Sequence, residues 1–134
     1  MTEPYSATTR GVRVTVRTLY LPDQSDPDDS TYVWAYEVRI ENTGTETVKL
    51  LRRTWRITDE RGHTEVVHGD GVVGEQPTLR PGQAFEYTSG THLATPSGFM
   101  VGAYHMVAPG TGEAFDAAVP AFSLDSPGER SHLH

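Results

Sequence analysis

The sequence predicts an all-β protein, a two-sheet β-sandwich of about seven or more antiparallel strands. Three observations point to it. Apolar and polar residues alternate with period two over several stretches, which sends one set inward and the other into water. The 13 glycines and 9 prolines of the 134-residue chain are spread along it rather than clustered, so turns recur at short intervals. No stretch of about ten residues carries the apolar stripe of a helix. Short strands joined by frequent turns are the pattern of a sandwich.

The elements follow in order. From Val12 to Tyr20, Val12, Val14, Val16 and Tyr20 alternate with Arg13, Thr15 and Arg17, giving a strand with one wet face. From Thr31 to Glu41, Tyr32, Trp34, Tyr36, Val38 and Ile40 share a side, and Asn42-Thr43-Gly44-Thr45 makes the turn. A third strand spans about Thr47 to Asp59. Its inward parity switches from Val48 and Leu50 to Leu51, Trp55 and Ile57, which predicts a bulge near Leu50 and Leu51. Glu60-Arg61-Gly62 turns the chain into a short strand, Thr64 to His68. A glycine loop runs from Gly69 to Gly74, and Arg80-Pro81-Gly82 is a further turn. Gln83 to Thr88 reads as a strand with Phe85 and Tyr87 inward. Phe99 to Ala108 and Glu113 to Leu124 form a hairpin around Pro109-Gly110-Thr111-Gly112. The ends lack periodicity, so residues 1–10 and 125–134 are expected to be flexible segments around a domain at 11–124.

Composition narrows the function. A chain of this length is one domain and hides roughly 70% of its extended surface on folding, enough for a core without a staple. It contains no cysteine, which excludes a disulfide framework, a thiolate metal site and a cysteine nucleophile. The net charge is −7, so the field of the molecule repels polyanions and argues against non-specific nucleic-acid binding. The longest apolar run, Tyr32 to Tyr36, falls far short of the roughly 20 residues of a membrane helix, so no membrane insertion is expected. No signal-peptide pattern opens the chain, and the expected location is cytoplasmic.

One string invites a chemical reading. His68-Gly69-Asp70-Gly71-Val72-Val73-Gly74 contains G-x-G-x-x-G. In a dinucleotide fold that string joins a strand to a helix whose N-terminus holds the pyrophosphate. Pro77 and Pro81 forbid that helix here, so a Rossmann reading is rejected. A glycine loop can still form a backbone nest for an anion. Gly69, Gly71 and Gly74, with Arg53, Arg56, Arg80 and also Arg52 as fork-shaped donors, are the candidate anion site for a phosphate-containing small molecule. On strand parity, Arg53 shares the face of Trp55, and Arg52 and Arg56 share the opposite one. The plainer use of the same glycines is a tight connection between strands, with Val72 and Val73 plugging the core.

Other candidates fail on spacing. Asp23, Asp26, Asp28 and Asp29 crowd one loop, and Glu37 stands twelfth from Asp26, but Thr31 occupies the place of the required glycine. That loop reads as acidic and solvated. His63 and His68 have opposite parity, His92 is placed in a loop, and His105 stands between Tyr104 and Met106, so the histidines assemble no site on paper. No zinc spacing appears, and Ser89 and Ser97 lack a nucleophile elbow. The alternation Tyr32, Trp34, Tyr36 is assigned to the core rather than to a stacking platform. No catalytic residue, no metal ligand and no cofactor is expected from these patterns.

The ordered series of motifs resembles the ApaG family. It comprises Tyr20-Leu21-Pro22, Gln24-Ser25-Asp26-Pro27, Tyr36 through Gly44, Trp55-Arg56-Ile57-Thr58-Asp59 and Gly69 through Pro77. Pro81-Gly82, Phe85 through Gly90, Thr95-Pro96-Ser97-Gly98 and Val119-Pro120-Ala121-Phe122 complete it, over about residues 11–124. Thr54 departs from the pattern, in which a histidine often precedes the tryptophan. The resemblance implies an immunoglobulin or fibronectin-III-like sandwich and an indirect link to cobalt and magnesium tolerance. It also implies a gene neighbourhood shared with diadenosine-tetraphosphate hydrolysis. Similar eukaryotic domains, joined to F-box and polymerase-interacting proteins, imply protein recognition. The expected function is therefore a non-catalytic binding module with a protein partner, the alternative being an anion-binding domain for pyrophosphate or dinucleoside polyphosphates. An exposed edge strand would also allow a homo-oligomer.

Overall fold

The alternating residues become strands wherever one face can be buried. The computed structural model describes residues 4–127. Its strands are β1 Tyr5–Thr9, β2 Val12–Tyr20, β3 Tyr32–Asn42, β4 Val48–Asp59, β5 Thr64–Asp70, β6 Thr78–Leu79, β7 Ala84–Leu93, β8 Ser97–Ala108 and β9 Glu113–Asp125. They form two sheets, ordered β1-β2-β3-β7 and β5-β4-β8-β9, with the short β6 also pairing β4. Every strand pairing is antiparallel. The sheets close face to face on Val12, Val14, Val16, Val38 and Ile40 from one and Leu50, Met100, Met106 and Leu124 from the other. At the centre, Trp55 meets Tyr36, Tyr104 and Phe122 edge-on at centroid separations of 5.6, 6.1 and 6.0 Å.

Two register shifts decide which residues reach water. The predicted bulge lies between Leu50 and Arg52, where the β4–β8 register slips. Leu50 is buried before it, and Trp55 is buried after it on the opposite parity. Without that slip, Arg52, Thr54 and Arg56 would continue the inward face of Leu50. A second shift, between Met100 and Gly102, sits opposite Pro120 and Ala121, so that Val119 and Phe122 both point inward.

The ends differ from expectation. Tyr5–Thr9 pairs with β2 from Tyr5↔Val16 to Thr9↔Val12 instead of trailing as a flexible segment. Arg10 and Gly11 both take positive φ, 49° and 83°, and so close a tight hairpin. Further support comes from β9: the backbone N–H of Ala118 donates to Thr9 Oγ1 at 3.1 Å. The domain also extends past Leu124, since Trp34 Nε1 donates to the Asp125 carbonyl at 2.9 Å and Ser126 is buried. Residues 128–134 of the expected C-terminal tail lie outside the described residues. His92 belongs to β7 rather than to a loop. No helix among the described residues is long and apolar enough to cross a membrane.

Candidate functional site

The outward residues of β4 sit at the middle of the second sheet, flanked by β5 and β8. Register places Arg52 between Asp70 and His105, Thr54 between His68 and Ala103, and Arg56 between Val66 and Val101. On this face a continuous chain of side-chain hydrogen bonds crosses four strands. Asp116 Oδ1 lies 2.7 Å from His105 Nδ1. His105 Nε2 lies 2.7 Å from Thr54 Oγ1, and Thr54 Oγ1 lies 3.1 Å from His68 Nδ1. An ionised carboxylate only accepts, so Asp116 takes the proton on His105 Nδ1. In the neutral ring Nε2 then accepts from the Thr54 hydroxyl, whose oxygen in turn accepts from His68 Nδ1. Arg52 and Asp70 line the same shallow depression as Thr54, His68 and His105. Among the described residues no side-chain hydrogen bond or ion pair engages the Arg52 guanidinium.

The predicted anion cluster is arranged differently. Arg53 does meet the glycine string, but as a brace: Nη1 donates to the carbonyls of Asp70 at 3.0 Å and Gly71 at 2.8 Å. Gly69 is the place where the guanidinium crosses β5, and a Cβ there would sit 2.6 Å from Arg53 Cζ. The Gly71 N–H donates to the Leu51 carbonyl, and the Val72 and Glu75 N–H groups donate to each other's carbonyls. Those donors are spent inside the chain. Gly74, at φ 81°, completes the turn with no neighbour over its Cβ position. Arg56 lies on the outward face, and Arg80 follows Leu79, which pairs with Val48. Five strand positions separate Val48 from Arg53, roughly 16 Å at the usual rise. Of the two expected plugs, Val72 is fully buried, whereas Val73 is 56% exposed. Its positive φ of 43° at the turn tip carries the side chain away from the core.

The two outer faces of the sandwich contrast. On the first sheet, Arg39 pairs with Glu86 at 2.7 Å and Arg13 with Glu41 at 3.6 Å, and Leu19 is 60% exposed further along β2. On the second, Val66 and Phe99 are 43% and 46% exposed, with Val101 half-buried beside them. β5 forms one edge of this sheet.

These features define a β-sandwich domain whose second sheet carries, on its outer face, exposed apolar side chains together with a hydroxyl–imidazole–carboxylate chain. A family model described as the ApaG domain matches residues 22–108. The chain is 63% identical over 127 residues to Protein ApaG of Rhodospirillum centenum, covering 95% of this chain and 97% of that one. It is 62% identical to Protein ApaG of Paramagnetospirillum magneticum over 97% of this chain and 99% of the other. The crystal structure of a Bordetella pertussis protein assigned as ApaA superposes with a TM-score of 0.83 at 45% identity, covering 91% of this chain and 95% of that chain. The chain belongs to the ApaG family.

Proposed function

We propose that this chain is an interaction module that engages a protein partner through the outer face of the β5-β4-β8-β9 sheet. The exposed Phe99 and Val66, with Arg52 and Arg56 unengaged among the described residues, carry the reading. Phe99 and Val101 follow one another on the outward side of β8, and Val66 of β5 stands across Arg56 of β4 from Val101. Apolar side chains clustered in water are the usual centre of a recognition patch, and arginines at its rim add directional contacts. Arg56 stands between Val66 and Val101 and Arg52 lies further along β4, on a molecule whose net charge is −7, so the patch favours a partner bearing carboxylates. The glycine-loop reading for a phosphate-bearing molecule draws less support, because the Gly71, Val72 and Glu75 N–H groups and Arg53 are engaged within the chain. Among the described residues no group of three or more His, Asp or Glu is placed to hold a metal ion. A link to cobalt and magnesium tolerance would then run through the partner.

The test is variant-dependent capture from native lysate. Phe99→Glu and Val66→Glu are expected to weaken recovery of a stoichiometric partner about tenfold or more, the loss of one well-buried contact. Glu37→Ala on the opposite face leaves it unchanged. Equal recovery by all three variants contradicts the assignment.

A further inference from the structure

The chain of bonds through Thr54 has a chemistry that binding alone does not use. We propose that Thr54 is an activated nucleophile, with His105 as its general base and Asp116 as the group that orients His105, and that it accepts acyl groups from activated esters. This goes beyond the interaction reading. An alkyl hydroxyl is a weak nucleophile until a base within hydrogen-bond reach takes its proton and a third group holds that base in the productive tautomer. Both bonds measure 2.7 Å here. They come from three adjacent strands of one sheet, β4, β8 and β9, so the rigid ladder rather than a loop fixes the geometry. The side chain of His105 is 26% exposed, so a small substrate can reach the Thr54–His105 pair from solvent. The unengaged Arg52 guanidinium in the same depression provides N–H donors for the oxyanion that develops on the attacked carbonyl.

The step balances without a cofactor. Thr54 Oγ1 bonds to the carbonyl carbon of the ester, and its proton passes to His105 Nε2. The carbon–oxygen bond to the leaving group breaks, and the departing oxygen takes the proton from His105. Water then attacks the acyl-threonine, giving its proton to His105, and the carboxylic acid leaves as Thr54 regains its hydroxyl. The net change is ester plus water to alcohol plus acid.

The probe is p-nitrophenyl acetate with the full chain. Release of nitrophenolate is followed by absorbance, and the adduct is mapped by peptide mass spectrometry after an acid quench. The expected result is one acetyl group on Thr54, absent in Thr54→Val and retained in Thr54→Ser. His105→Gln is expected to lower the acylation rate by about a hundredfold or more, the contribution of a positioned base. Mapping the adduct to Thr54 and not to His68 separates the proposed path from direct attack by an exposed imidazole. Glu37→Ala on the opposite face should retain acylation at Thr54, and partner capture is read separately, so failure of the interaction reading and failure of this one are distinguishable. An acetyl group found on His68 or another residue but not on Thr54, no adduct on the unaltered protein, or equal rates for Thr54→Val and the unaltered chain would each overturn the proposal.

Discussion

Tyr87 and Tyr104 show how single residues bind the two sheets together. Their hydroxyls meet across the interior, Tyr87 from β7 and Tyr104 from β8. Burial is the main cause that pushes both phenols above the ordinary tyrosine range. The folded chain therefore keeps protons that the unfolded chain releases near pH 10. The resulting stability is fully present below about pH 10 and is lost as pH rises through the higher values of the folded phenols. Between about pH 9 and about pH 11 the melting temperature should fall less steeply for the double variant Tyr87→Phe with Tyr104→Phe than for the unaltered protein. Either single variant strands one hydroxyl and should cost about 1–3 kcal/mol in urea unfolding, more than the double, which removes both partners. Equal pH slopes for the unaltered protein and the double variant would contradict the assignment.

At the scale of elements, β8 carries both core and site because glycine lets β4 approach it. A Cβ on Gly102 would strike the Thr54 carbonyl and lie 2.8 Å from Trp55 Cε3. Gly102→Ala is expected to destabilise the fold by about 1–3 kcal/mol, as crowding a packed core does. Gly110→Ala, with no neighbour within 4 Å of its Cβ position, should change chemical denaturation little. Matching losses for the two would place the strain elsewhere.

The strands were legible because period-two alternation and burial are the same fact. The bulge was legible for the same reason, since Leu50 and Trp55 cannot both face inward on an unbroken strand. β1 was hidden because Tyr5, Ala7 and Thr9 are half-buried, which leaves little contrast with Ser6 and Thr8. The relay was hidden because it spans β5, β4, β8 and β9, and no linear spacing encodes a contact between four strands. Part of it was within reach. Counting outward from the turn at Glu60-Arg61-Gly62 brings Thr54 opposite His68, and counting outward from Pro109-Gly110-Thr111-Gly112 brings His105 opposite Asp116. What no count supplies is the neighbour relation of β4 and β8, which are separated by three intervening strands. Of the candidate anion residues the fold brings Arg52, Arg53 and Gly69 to one depression, whereas Arg56 lies further along β4 and Arg80 follows the distant β6.

For the whole molecule, the sandwich is best viewed as a rigid support with two unlike faces. Charges on the β1-β2-β3-β7 face are answered by neighbours, as Arg39 is by Glu86 and Arg13 by Glu41. Among the described residues, the other face leaves Arg52 unengaged in the depression at Thr54, with Val66 and Phe99 exposed further along the sheet. The measurement that tests this division most directly is a backbone-amide NMR footprint of the labelled chain with the captured partner. Shifts should concentrate on β5, β4 and β8 around Val66, Arg56 and Phe99, while Arg39 and Glu86 stay unmoved. A footprint centred on Arg39 and Glu86, or confined to the turn at Val73 and Gly74, would contradict the account.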